Sequence, residues 1–248
     1  PRRFAVEPAV RHPRAFEDYG GLQREAPGGR AQQAVDGDLG QAEGVGHARI
    51  VVVQPRPLAA QPVAGIEGAA DLVLIGAASS FPHGSVQPTR LQEGTIVLFD
   101  GGCNVSGYKS DISRTFVIGK PTDKMQRVFE TVKSAQSAAL AAARPGVTCG
   151  AIDAAARAVI DQSGFGPEYA HFTHRVGHGM GMDGHEWPYL VRGNATLLAA
   201  GMTTSNEPGI YLAGEFGVRL EDDMHITANG AELFTPQSHS LEQPFARG

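Results

Sequence analysis

The chain has 248 residues, 42% of them hydrophobic and 19% charged, with a formal net charge of −5 and a pI near 6.0. That length allows one large domain or two small ones, and the apolar share is too high for a disordered chain. The acidic balance argues against a nucleic-acid or anionic-membrane partner. The two cysteines, Cys103 and Cys149, make no disulfide framework, and the expectation is a reducing, cytoplasmic compartment. No apolar run approaches the roughly 20 residues of a membrane span, and no basic start followed by an apolar region marks a signal peptide. The chain opens with Pro1 rather than Met, as a fragment or a processed product would.

Residues 1–70 are rich in Pro, Gly, Ala, Arg and Gln and poor in Leu, Ile and Phe. One strand-like run, ARIVVVQPRPLAA, is ended by prolines. The composition predicts a weakly structured or irregular portion. From residue 71 the pattern changes. DLVLIG, GTIVLFD at 94–100 and RTFVIG at 114–119 are predicted buried strands. Apolar residues at 125, 128, 129, 132, 135 and 139 have helical spacing. Asp123 with Gln126 resembles a capping box, and Pro145-Gly146 stops that helix. A second helix is predicted with Thr148 as N-cap and Gly164 as its stop. Two further strands, TTSNEPGIYL and GVRLEDDMHIT, follow glycine-rich loops. Hairpins mixed with helices, without regular strand–helix alternation, predict an α+β domain over residues 71–248.

Five side chains stand out chemically. Asp100 is expected to end one apolar strand and Asp111 to begin the next, with Gly101, Gly102, Asn104 and Gly107 between them. A hairpin closed at its midpoint would set the two carboxylates nearly opposite each other, where they repel. Glu207 and Glu221 flank a second hairpin that turns at Ala213 and Gly214. Between the hairpins lies HRVGHGMGMDGHEWP, where His174, His178 and His185 are spaced by four and then seven positions among glycines. Desolvating several carboxylates without a partner costs several kcal/mol (roughly), and divalent cations remove that conflict. Asp100, Asp111, His178, Glu207 and Glu221 are too many ligands for one tetrahedral zinc. They suit two cations roughly 3.5–4 Å apart that share carboxylates. Manganese, cobalt, zinc and iron all fit this donor set.

Together FDGG, SDISRTF, HRVGHGMGMDGHE, NEPGIY and VRLEDD resemble the pita-bread metallopeptidases, which include methionine aminopeptidase, aminopeptidase P and Xaa-Pro dipeptidase (prolidase). The resemblance covers about residues 71 to 245, and GHEWPYLV and EFGVRLEDD are most similar to the Xaa-Pro branch. It implies two pseudo-symmetric halves around a dinuclear metal site. It also implies an exopeptidase that hydrolyses Xaa-Pro bonds of di- or oligopeptides through a metal-bridging hydroxide. By the same resemblance Asp100 binds the first metal, Asp111 and Glu221 bridge, and His178 and Glu207 complete the second. Glu207 also serves as base. His83, 17 residues before Asp100, matches a substrate-contacting histidine, and His185 one that stabilises the tetrahedral intermediate. His174 resembles a pocket histidine, and Arg219 an arginine that orients bridging ligands. A homodimer with neither nucleic-acid nor membrane partners is expected. The alternatives are methionine aminopeptidase, a non-catalytic pita-bread binding module and an inactive truncated fragment. The resemblance does not extend to residues 1–70, and the separate N-terminal domain of full-length relatives is not seen. Asp222 and Asp223 read as solvent-facing or capping residues, and His225 and His239 as structural or exposed.

Overall fold

The structure, a computed structural model, describes residues 66–85, 89–167 and 169–245, with the side chains described from residue 72 onward. The reading of residues 1–65 lies outside the described residues. The first strand, β1 (Ile66–Ile75), starts ahead of the apolar run at Asp71 because the backbone of Ile66 to Asp71 continues to pair with the next strand. After a 3₁₀ turn at Gly76–Ser80, β2 (Ile96–Val105) runs antiparallel to β1. On its other side β2 pairs with β3 (Tyr108–Lys109) and β4 (Ile112–Val117).

Two helices follow. In α1 (Asp123–Ala142) Val128, Phe129, Val132, Ala135 and Ala139 are fully buried, so the helical spacing read from the sequence is the buried face. Its cap differs from expectation. Thr122, not Asp123, is the N-cap, its hydroxyl accepting from Met125 N at 3.2 Å, while the Gln126 amide donates to Glu130. A short hydroxyl one position earlier satisfies the orphan N–H and leaves Asp123 in the first turn, where its charge complements the helix dipole. In α2 (Cys149–Ile160) Thr148 caps as expected, accepting from Ala151 N at 3.3 Å. The helix gives way at Asp161 to one wider π turn, and Gly164, at φ +85°, takes the left-handed conformation that ends it.

The remaining strands are β5 (Gly177–Gly179), β6 (Glu186–Leu190), β7 (Thr203–Asn206), β8 (Gly209–Leu212), β9 (Phe216–Arg219), β10 (Asp222–Ile226) and β11 (Ala231–Leu233). Five of them form a sheet in the order β11-β10-β7-β5-β6, and β8 and β9 form a separate hairpin. The main core joins α1 and α2 to Val176, Leu190, Ile210, Val218, Leu220, Met224 and Ile226. Among the described residues no helix is long and apolar enough to cross a membrane.

Three local expectations are corrected. Asp100 does not end its strand; it stands mid-strand, opposite Leu72 on β1 and Ser113 on β4. The turn comes later, at Ser106 and Gly107, both at positive φ, and Asp111 lies in the gap between β3 and β4. The two long C-terminal strands are each divided, at Glu207-Pro208 and at Leu220-Glu221, because the chain leaves the five-stranded sheet there for the β8–β9 hairpin and then returns. His178 belongs to a strand rather than a loop. Its flanking glycines serve close approach between strands: a Cβ on Gly177 would collide with the Ser205 carbonyl, and one on Gly179 with the Trp187 carbonyl.

Candidate metal centre

Each chemically distinctive side chain sits where a strand is interrupted or crossed. Glu207 and Glu221 occupy the two breaks between sheet and hairpin, and an isolated bridge from Ser113 to Glu221 sews β4 to the second break. Asp100 points from the middle of β2 and Asp111 from the entry to β4. Two groups of ligand atoms result, each lying within 4.8 Å of one another: Asp100, Asp111 and Glu221, and His178, Glu207 and Glu221. A third group joins Asp111, His178 and His185. Glu221 is common to the first two groups, and His178 Nε2 lies 3.8 Å from Asp111 Oδ2 and 3.5 Å from Glu207 Oε1.

The surroundings orient these donors. His178 Nδ1 donates to Gly179 O at 3.0 Å, which leaves Nε2 as the acceptor facing the carboxylates. Arg219 donates to Asp100 Oδ2 at 2.6 Å and to Ser113 Oγ at 3.0 Å, and Ser113 Oγ in turn donates to Glu221 Oε2 at 2.7 Å. The Arg219 guanidinium also reaches Tyr211 OH and Pro82 O. His174 bonds Tyr211 OH through Nε2 at 2.7 Å, and its Nδ1 lies 3.9 Å from Glu207 Oε2. His185 is exposed, its ring 4.2 Å from that of His178. His83 is exposed in the turn that follows the Arg219-bound Pro82, and its charge opposes protonation of both His174 and His185.

The acids are electrostatically frustrated. Burial, then the neighbouring charges of Asp100 and Asp223, push the Asp111 carboxyl up to about 7. Burial pushes Glu207 up to about 8 and raises Glu221 well above the usual carboxylate range, with the Glu207 and Asp111 charges adding to the Glu221 shift. Burial also lowers His174 to about 3 and His178 to about 4, so both imidazoles are neutral ligands or acceptors near pH 7. Buried carboxylates that share space, with a neutral imidazole aimed at them, fit divalent cations: positive charge removes the repulsion that raises these pKa values. The oxygen-rich group of three carboxylates and the mixed group of one imidazole and two carboxylates both suit hard or borderline ions.

Two flanking acids differ from expectation. Asp222 is fully buried, bonded to Arg114 at 2.6 Å, to Thr235 at 2.6 Å and to Gln136 at 2.9 Å. Arg114 in turn donates to the Glu221 carbonyl at 2.7 Å. Asp223 Oδ2 accepts the backbone N–H of Asp111 at 3.0 Å. Asp222 is shut off from solvent and Asp223 is half-buried; both tie the Glu221 break to the first sheet. Ser113 and Tyr211 were not singled out from sequence, and the only local signal for them is their position within SDISRTF and NEPGIY.

Comparison with known proteins follows the same lines. A model of metallopeptidase family M24 matches residues 60–228, and the chain belongs to this family. It is 44% identical over 171 residues to the Xaa-Pro dipeptidase of Lactobacillus delbrueckii subsp. lactis, covering 69% of this chain and 46% of that protein. The solved prolidase of Pyrococcus furiosus superposes with a TM-score of 0.65 at 39% identity, over 68% of this chain and 49% of that one. The X-Pro aminopeptidase of Thermotoga maritima MSB8 gives a TM-score of 0.66 at 35% identity, over 70% of this chain and 50% of that one. The fold is accordingly the α+β pita-bread fold of the prolidases and aminopeptidase P. The chain spans about half the length of the relatives it matches, 46% and 48% for two of the Xaa-Pro dipeptidases.

Proposed function

We propose that the protein is a dinuclear-metal exopeptidase that hydrolyses the Xaa-Pro bond of short peptides. The observation that carries this reading is the pair of ligand groups sharing Glu221. Asp100, Asp111 and Glu221 would hold one divalent ion; His178, Glu207, Asp111 and Glu221 would hold the other. Manganese, cobalt, zinc and iron remain the candidates. The chemistry supplied when both ions are bound is activation of water and polarisation of the scissile carbonyl.

The chain's own residues divide the remaining work. Glu207 is the base: Oε1 faces His178 while Oε2 faces His174, so one oxygen can take a proton from water as the other stays in the ligand set. His185 and His83, on the exposed side, donate to the developing oxyanion. Arg219 holds Asp100 and, through Ser113, Glu221. The imide bond before proline has no N–H, so ordinary main-chain recognition fails and a ring-binding surface is required. His174 and Tyr211, whose rings lie 5.4 Å apart, are suited to form it. The identity to Xaa-Pro dipeptidases supports the proline preference. A cytoplasmic location fits two free thiols, Cys103 and Cys149.

The test is to load the full chain with manganese or cobalt and assay Ala-Pro, a Xaa-Pro-Xaa tripeptide and a Met-starting peptide. Chelator-sensitive cleavage confined to the proline substrates supports the proposal. Cleavage of the Met-starting peptide alone, or no metal uptake, contradicts it.

A further inference from the structure

The buried face of α1 carries one amide among apolar side chains. Gln136 lies beside Val132, Ala135 and Ala139 on that face, and none of its surface reaches solvent. An amide gains little from such burial and is tolerated only with its hydrogen bonds made. They are made, and they run to the two strand ends that carry Glu207 and Glu221. The Gln136 amide nitrogen donates to Asn206 O at 3.1 Å and to Asp222 Oδ2 at 2.9 Å, while its side-chain oxygen accepts from Gln237 Nε2 at 2.8 Å. The main-chain carbonyl of Gln136 accepts from Asn206 Nδ2 at 2.9 Å. The amide has one workable orientation. Asn206 O and the Asp222 carboxylate, ion-paired to Arg114, are both acceptors and need N–H groups facing them.

Asn206 ends β7 and Asp222 begins β10, and the two face each other in the sheet. Glu207 follows the first and Glu221 precedes the second. The β7–β10 ladder stops at this pair, and the next sheet pairing, Gly209 with Arg219, lies beyond both acids. Glu207 and Glu221 therefore occupy an interval between two sheets. Other contacts fix each side separately: Val176 O accepts the Glu207 N–H, and Ser113 O accepts the Glu221 N–H. Gln136 bonds to both sides of the interval at once. A single nitrogen with two acceptors, each one residue from an acid of the centre, acts as a spacer between those acids.

Resting on the proposed role of Glu207 and Glu221 as metal ligands, we infer that Gln136 is a positioning residue: from α1 it sets the separation of the two glutamates and so tunes the centre for its ions. A purely structural amide would contribute to stability and leave the centre unaltered.

The experiment compares the full wild-type chain with three variants. Gln136→Met keeps the side-chain length and removes its hydrogen bonds. Gln237→Ala, at a half-buried position, releases only the oxygen end of the amide. Thr148→Ala removes the cap of α2 and is the control for lowered stability. Two readouts are taken: cobalt(II) affinity with the visible spectrum of the bound ion, and hydrogen exchange at the Glu207, Glu221 and Asp222 amides of the metal-free chain. Gln136→Met is expected to weaken cobalt binding about 10-fold, to shift the cobalt bands and to speed exchange at those amides, with none of these changes in Thr148→Ala. Gln237→Ala is expected to show a smaller loss in the same direction, and it decides the matter if Gln136→Met does not fold. Wild-type affinity, spectrum and exchange in the folded variant overturn the inference and leave the metal centre standing, and equal effects in Thr148→Ala overturn it too. No cobalt uptake by wild type overturns the metal centre instead. Exchange at the three amides then judges the spacer alone: faster in the Gln136 or Gln237 variant upholds it, unchanged overturns it.

Discussion

Asp111 is one of the strained acids of the cluster. Its backbone N–H is held by Asp223, its carboxylate faces Asp100, and its proton affinity is raised by burial and by both of those charges. Removing the Asp223 acceptor would free Asp111 to rotate away from the cluster. Asp223→Ala is therefore expected to weaken divalent-metal affinity about 10-fold, read by calorimetric titration; unaltered affinity would show that Asp111 is held by other means. Glu207→Gln keeps size and removes basicity. Turnover should be abolished while the melting temperature of the metal-loaded protein changes little, and unchanged activity would refute its role as base. A pH dependence follows from the same groups. Folded, the imidazoles of His174 and His178, lowered to about 3 and about 4, are neutral above pH 6.5, whereas unfolded, with the ordinary value of 6.5, each is half protonated at pH 6.5 and loses that proton over the next pH unit; this opposing contribution is smaller than that of the carboxyls. Between that pH and about 8 the folded metal-free chain keeps protons on Asp111 and Glu207 that the unfolded chain has released. The folded state then binds more protons, so stability of the metal-free protein must fall as pH rises through this window. Thermal melts in chelator from pH 6.5 to 8 should show this decline, and saturating manganese should remove it.

At the scale of elements, the sequence was most informative where chemistry is local. Thr148 caps α2 through Ala151, three residues on, and the apolar spacing of α1 is its buried face. Thr148→Ala should cost about 1 kcal/mol, and Phe129→Ala, at a fully buried position, about 3–5 kcal/mol, both measured by denaturant unfolding. The ligand-type residues were legible because buried acids are costly and rarely cluster without cause. Strand boundaries were less legible. The breaks at Glu207 and Glu221 arise because β7 and β10 pair in one sheet and β8 and β9 in another, a choice made by tertiary pairing that no local pattern encodes. Asp222 was misread for the same reason. Its partners Arg114 and Gln136 lie far away in sequence, so LEDD looks like a polar turn until the sheets meet. The glycine-rich stretch around His178 reads as a loop in the sequence, whereas its glycines allow interstrand proximity to Ser205 and Trp187.

On the scale of the whole molecule, the described residues bring acids from β2, from the entry to β4 and from both C-terminal breaks to one place, with His178 between them. The chain does so while spanning about half the length of the Xaa-Pro dipeptidases it resembles, 46% in one case. A site built from such separated segments couples metal binding to folding: each ion at 100 times its dissociation constant adds about 2.7 kcal/mol to stability. The most direct measurement is the stoichiometry of manganese bound by the full chain at neutral pH, in wild type and in Glu221→Ala. Two ions per chain, with both sites weakened by the loss of the residue they share, is the predicted result. One ion bound with Glu221→Ala unaffected, or none at all, would contradict the account.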